Sequence, residues 1–333
     1  MSGLMQKKSL ALVIVIVIGL IFAGSMSGCD IIKMGTHYTL SNVPEVVIDE
    51  QNVPLALPGP VFEIPMPDIS GLLAERNGQT FIDYSNKHEG YVTVGFLKDT
   101  DNLLRVLKVG PCGREYIYKL PPGEIEVLPL ANGNGRYIIS VHEQVIGNTY
   151  LDVLSITIDV ELINEFVPFL RPNQLVWYDK ESPVTQKAIE LSLENFNQID
   201  IIDSIYSFVV DNITYDFKLA ETIETDYSSD LNEVLKRGSG ICLDIASLTT
   251  AMLRSQGIPA KLVFGYLYDQ NHGNIYHAWV NVFLEEDGML GGDLFFEGGT
   301  WVILDPTTDT ILVVNESGVT VGEGKIYHDL YYY

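Results

Sequence analysis

Gly238-Ser-Gly-Ile-Cys-Leu-Asp-Ile-Ala-Ser-Leu-Thr-Thr-Ala-Met-Leu-Arg-Ser-Gln-Gly-Ile-Pro-Ala-Lys-Leu-Val-Phe-Gly265 is the stretch around which the chain is organised. It opens as a flexible glycine loop with Ser239 as the expected N-cap. A helix is predicted next, with Ile241, Ile245, Leu248 and Met252 on one face. Gly257 stands where a left-handed C-terminal cap is expected, and Pro259 forbids the helix from resuming. Cys242 falls in the first helical turn. Unpaired backbone N–H groups and the positive end of the helix dipole both favour a thiolate there, which raises nucleophilicity at neutral pH.

Two further blocks supply what a nucleophilic thiol needs. His277 opens the apolar run His-Ala-Trp-Val-Asn-Val-Phe-Leu, and Trp301-Val-Ile-Leu-Asp-Pro306 carries Asp305. Both read as strands. Period two along the first puts His277, Trp279, Asn281 and Phe283 on one face, so Trp279 is expected beside His277, where it shields the Cys–His pair from water or fills the core. A Cys at a helix start with His and Asp on strands is the arrangement of a thiol acyl-transfer enzyme. The imidazole takes or shares the thiol proton, and the carboxylate fixes its tautomer and orientation. Taken singly, each residue has a plainer reading: a small buried thiol, a strand histidine, a turn-starting aspartate. Their order and local settings together favour the chemical one.

The blocks Gly-Ile-Cys-Leu-Asp-Ile-Ala-Ser-Leu, Leu-Arg-Ser-Gln-Gly-Ile-Pro-Ala-Lys, Gly-Tyr, His-Ala-Trp-Val and Trp-Val-Ile-Leu-Asp-Pro-Thr occur in this order. They resemble the core of the transglutaminase-like superfamily, over roughly the last 150 residues, a usual domain size. The resemblance implies a papain-like core with a catalytic triad of Cys242, His277 and Asp305. It also implies that Tyr215, in Asn212-Ile-Thr-Tyr-Asp216, lies near the active site as an oxyanion or substrate contact; a packed aromatic is the plainer alternative. Glu89 to Ile213 resembles the region that precedes this core in secreted or lipid-anchored bacterial members. One departure is visible: animal transglutaminases have Trp next to the nucleophile, whereas Leu243 follows Cys242 here. That weakens any transfer of protein cross-linking activity.

With 333 residues, 47% of them apolar, the chain is long enough for about two domains with their own cores. The net charge of −24 repels nucleic acid and anionic lipid, and no basic cluster contradicts this. Lys7 and Lys8, the apolar run Leu10 to Phe22 and the small residues before Cys29 describe a signal peptide over 1–28. Ser-Gly-Cys resembles a bacterial lipobox, which makes Cys29 the lipid-bearing first residue of a mature lipoprotein; an uncleaved membrane anchor is the alternative. Either way the folded part faces outward, at the cell surface on the outer face of the cytoplasmic membrane. Residues 29–68 are a Pro-rich extended spacer.

Short alternating strands separated by Pro-Gly and Asn-Gly turns then fill 69–163, which predicts an antiparallel β-sandwich of immunoglobulin-like type. A linker over 164–182 leads to Ser182-Pro183, the expected start of a catalytic domain over 183–333. The fold class is thus α+β. Cys112, in an apparent Gly-Pro-Cys-Gly turn, reads as a structural or accidental cysteine. His88-Glu89 and His142-Glu143 lack the second His of a zinc-protease helix, and the acidic 285–288 loop lacks calcium-loop spacing, so neither metal nor cofactor is expected. The function expected is thiol acyl transfer on a peptide or amide, with cell-wall peptide suggested by location alone. The rival is a non-catalytic surface binding or adhesion lipoprotein on the same scaffold.

Overall fold

The computed structural model describes residues 62–333 except 194, 196, 224–226, 271–272, 293 and 316. The expected signal peptide, Cys29 and most of the spacer lie outside the described residues. No helix among the described residues is long and apolar enough to cross a membrane.

Alternation along the strands between Ala74 and Val160 builds two four-stranded antiparallel sheets. One has the order Ala74–Arg76, Thr80–Asp83, Tyr91–Phe96, Ile125–Pro129. The other runs Glu115–Lys119, Leu104–Val109, Gly135–Ile146, Thr149–Val160. Every second residue of each inner face enters one shared core, including Val92, Val94 and Phe96 from the first sheet and Val106, Tyr116, Tyr118, Tyr137 and Ile139 from the second. One charge enters this core. Lys108 is fully buried, donates to the Pro129 carbonyl and lies 4.0 Å from the Tyr116 ring centroid; burial lowers its pKa to about 7.

The second core belongs to the C-terminal half. A six-stranded antiparallel sheet has the order Thr310–Val313, Thr300–Asp305, Gly273–Leu284, Ala260–Asp269, Lys325–Tyr332, Val319–Gly322. The helix Cys242–Ser255 packs one side on the two central strands. Helices Pro183–Ser192, Gln198–Asn212 and Leu231–Arg237 cover the rest of it. The expected apolar face, Ile241, Ile245, Leu248 and Met252, is buried, but so is every residue from Asp244 to Ser255. Its polar residues tolerate this because Thr249 and Thr250 return their hydroxyls to the carbonyls of Ile245 and Ala246, each at 2.8 Å. At the far end Gly257 adopts φ +77°, the Gly257 N–H reaches the Arg254 carbonyl and the Ile258 N–H reaches that of Leu253, closing a Schellman cap.

The 164–182 stretch packs as part of this unit. Val176 and Tyr178 enter the C-terminal core, as does Ile64 from the end of the spacer. Phe166 lies 4.5 Å from Phe283 and Phe169 5.8 Å from Trp301, ring centroid to centroid. Arg171 pairs with Glu89 and donates to the Pro65 carbonyl, tying this stretch to the sandwich. From the other side Tyr333 packs edge-on against Tyr116 at 5.3 Å and Tyr118 at 5.8 Å, so the two cores meet through tyrosine rings.

Arg254, fully buried, is the cation that closes this assembly. Its guanidinium donates to the carbonyls of Ala260, Arg171 and Tyr333, one from each segment that converges on the helix end. Arg254→Met keeps the bulk but orphans three carbonyls, and each unsatisfied buried group costs about 1–3 kcal/mol. A fall in unfolding free energy of about 2–5 kcal/mol, measured by urea denaturation, is expected. An unchanged midpoint with an unchanged slope would show that the guanidinium is dispensable.

Candidate active site

The nucleophile helix does not begin where Ser239 predicts. Ser239 and Gly240 instead form a short parallel ladder with Thr214 and Tyr215. The Thr214 N–H reaches the Gly238 carbonyl at 2.9 Å, and the Asp216 N–H reaches that of Gly240 at 2.8 Å. Those backbone bonds hold the glycine loop extended, so the N-cap is Ile241 and Cys242 becomes the first helical residue. Ile241 has no side-chain oxygen to cap with. Asp244 answers from the third position: its carboxylate accepts the Ile241 N–H at 3.0 Å, the Tyr227 hydroxyl at 2.9 Å and Arg237 at 3.0 Å. Asp244 is fully buried, and this three-donor shell compensates its charge. Gly240 is required here, because a Cβ on it would lie 2.5 Å from the Asp244 Cβ.

On the sheet, His277 and Asp305 come from adjacent strands. Asp305 is fully buried and His277 nearly so, and the His277 Nε2 lies 2.9 Å from the Asp305 Oδ2. The same oxygen accepts the hydroxyls of Thr308 and Tyr327, each at 2.8 Å, while Oδ1 accepts the Thr307 N–H at 3.1 Å. Burial alone would raise the Asp305 pKa; the His277 charge and these hydrogen bonds outweigh it and hold the carboxyl below its usual range. Burial would likewise lower the His277 pKa. The Asp305 charge and hydrogen bond, reinforced by a hydrogen bond with Cys242, reverse that and push it up to about 10. With Nε2 engaged by Asp305, Nδ1 is the ring nitrogen left for the thiol.

The structure therefore brings Cys242, His277 and Asp305 into one connected array, with Cys242 a free and partly exposed thiol. Trp279 lies beside His277 as its strand period requires, with ring centroids 6.1 Å apart. It is fully buried, so it backs the imidazole and has no surface for a substrate. Gly265 makes room for it, since a Cβ there would meet the Trp279 ring at 2.5 Å and the His328 carbonyl at 2.0 Å. Tyr215 stands half-buried beside Cys242 and packs on Phe217 at 4.9 Å; burial, then the charges of Cys242 and Asp244, raise its phenol pKa.

Sequence reasoning missed Asp244, Thr308 and Tyr327. Asp244 carried a readable signal, an acid three residues after the helix cap. Thr308 follows Asp305 closely in an Asp-Pro-Thr-Thr turn, which also favours a side-chain bond to the carboxylate. Tyr327 arrives from a distant strand and left no local sign. Among the described residues no group of His, Cys, Asp and Glu has the arrangement of a metal site.

The raised His277 pKa fixes a sign for the pH response. A histidine titrating near 6.5 when unfolded and near 10 when folded stabilises the fold fully below about pH 6.5, and that contribution is lost as pH rises through about 10. Asp305→Asn removes the charge responsible. Imidazole NMR shifts should therefore show His277 protonated at pH 7 in the wild type and neutral in Asp305→Asn, with the titration moved down by more than roughly two units. The same titration in both proteins would dissolve the pair.

With this geometry established, the likenesses to other proteins fall into place. Residues 186–306 match the family model of the transglutaminase-like superfamily. The Mycobacterium tuberculosis protein Rv2569c is 29% identical over 178 residues, which is 51% of this chain and 50% of that relative. MJ1282 of Methanocaldococcus jannaschii is 31% identical over 103 residues, 29% of each chain. The chain thus spans at most about half the length of these two relatives. Among solved structures, the periplasmic domain of TgpA from Pseudomonas aeruginosa is similar over 73% of this chain and 78% of its own, at 14% identity and a TM-score of 0.31. Red sea bream transglutaminase is similar over 71% and 49%, at 14% identity and a TM-score of 0.27. The blocks around Cys242, His277 and Asp305 lie within the matched region, so this part of the chain is similar to the transglutaminase-like superfamily.

Proposed function

We propose that the protein is a cell-surface thiol acyl-transfer enzyme acting on peptide or amide bonds, with Cys242, His277 and Asp305 as its catalytic triad. The observation that carries this reading is the His277 ring, bonded through Nε2 to a buried carboxylate, with the Cys242 thiol at a helix N-terminus near enough to help raise the imidazole pKa. In the proposed reaction the Cys242 sulfur attacks the carbonyl carbon and the C=O electron pair moves to oxygen. The Cys242 backbone N–H, unpaired at the first helical position, stabilises that oxyanion, assisted by Tyr215. Collapse breaks the C–N bond, and the imidazolium of His277 gives its proton to the leaving amine. A thioester remains, and water or a second amine, deprotonated by His277, releases the acyl group and restores the thiol. Water makes the enzyme a peptidase or amidase, an amine makes it a transglutaminase.

Location completes the reading. A lipid on Cys29 holds the folded part outside the cytoplasmic membrane, where peptides of the cell wall are the amides at hand. The sandwich fits an immunoglobulin-type domain: its strand order supports this, and Tyr137 donates to the carbonyls of Leu130 and Gly133, as the corner tyrosine of such domains does.

Amidase and amine-transfer rates on casein and on murein peptides, with and without a labelled amine, test the enzyme. Cys242→Ala should abolish covalent turnover. Asp305→Asn should lower kcat roughly 10- to 1,000-fold, about 1.4–4 kcal/mol in the barrier, less than in a serine triad because a thiol ionises more readily. Wild-type rates no greater than those of Cys242→Ala across the panel would favour the non-catalytic binding lipoprotein instead.

A further inference from the structure

The face of the sheet that the nucleophile helix covers does not end with the helix. Along the His277 strand, Ala278 and Val280 lie in the core under the helix, and alternation puts Tyr276 on the same face, next to them and beyond Cys242. Tyr276 pairs across strands with Tyr266, rings 5.8 Å apart, and stacks against Phe264 at 6.1 Å. Phe264 pairs in turn with Tyr331 on the last strand. All four rings are half-buried, so this row presents an open aromatic surface that starts at the thiol. Its neighbours reach the thiol electrostatically as well: after burial, the charges of Tyr331, Tyr266 and Cys242 each raise the Tyr276 phenol.

The far end of the row meets the sandwich. Tyr331 packs edge-on against Tyr116 at 5.4 Å, and the Arg114 guanidinium lies 5.8 Å from the Tyr331 ring centroid. Arg114 follows the Gly110–Gly113 turn between two sandwich strands and is half-buried. No carboxylate pairs with it among the described residues.

We propose that the sandwich completes the substrate site: a peptide chain lies over the tyrosine row from Cys242 outward, and Arg114 receives a carboxylate that the peptide carries away from the scissile amide. This rests on the peptide-directed reading of Cys242. Flat rings with polar edges suit a chain in extended form, and a guanidinium binds a carboxylate through two parallel hydrogen bonds. In a protein of net charge −24, a guanidinium at the end of this row gives an acidic peptide a local attraction that fixes which way it lies. It also gives the sandwich a role in recognition, not only in spacing the catalytic half from the membrane.

The test is binding, in the Cys242→Ala background so that turnover plays no part. Three pools of fluorescein-labelled octapeptides, randomised except for one residue fixed as Glu, Gln or Lys, are titrated and followed by anisotropy. The Glu pool should bind about 10-fold more tightly than the Gln pool, a difference near 1.4 kcal/mol, with the Lys pool no tighter than the Gln pool. Arg114→Gln should erase the Glu preference, and Arg114→Lys should keep part of it, since the point charge survives without the planar fork. Equal binding of the three pools, or a Glu preference that survives in Arg114→Gln, overturns the proposal. Loss of turnover in the activity panel would leave this binding pattern untouched, so the two readings fail separately.

Discussion

An imidazolium and a carboxylate can share a nearly dry pocket only if the protein replaces the water that each has lost. Taking an ion pair out of solvent costs several kcal/mol per ion, and mutual attraction repays it only with good geometry and further hydrogen bonds. Around His277 and Asp305 those bonds are present. Asp305 accepts four protein donors through its two oxygens, His277 among them, and Cys242 adds to the stabilisation of the imidazolium. The neighbouring structure follows from this demand. The strand register sets Trp279 beside the imidazole, Gly265 gives that indole room, and the turn after Asp305 delivers Thr307 and Thr308.

The other half of the site solves a similar problem with different parts. Asp244 is as buried as Asp305, and its donors are Tyr227, Arg237 and the Ile241 backbone. One carboxylate orients the imidazole and the other orients the loop that presents the thiol. The helix is buried from Asp244 to Arg254, so the positions of Cys242 and of the convergent segments at Arg254 are mechanically linked. Tyr331 on the last strand and Tyr333 just after it extend the linkage to the sandwich.

The parts of this arrangement that the sequence displays are those fixed by local physics. The period along residues 277–284 placed Trp279 beside His277, Gly257 marked the helix end through its left-handed conformation, and Ser182-Pro183 marked a helix start. Ser239 misled because a non-local ladder with Thr214 and Tyr215 outcompeted a local cap. The burial of the nucleophile helix on all sides was hidden as well, since Thr249, Thr250 and Arg254 look like a solvent face until their partners are known. Tyr327 and Arg114 owe their places to strand pairing and to the meeting of the two cores, which no short window of sequence contains.

The account depends above all on Cys242 and His277 acting as a pair. The rate of Cys242 alkylation by iodoacetamide against pH, with the modified peptide identified by mass spectrometry, addresses this directly in the wild type and in His277→Ala. The account predicts a marked slowing of Cys242 alkylation in His277→Ala relative to the wild type at mildly acidic pH. Superimposable profiles for the two proteins would contradict it.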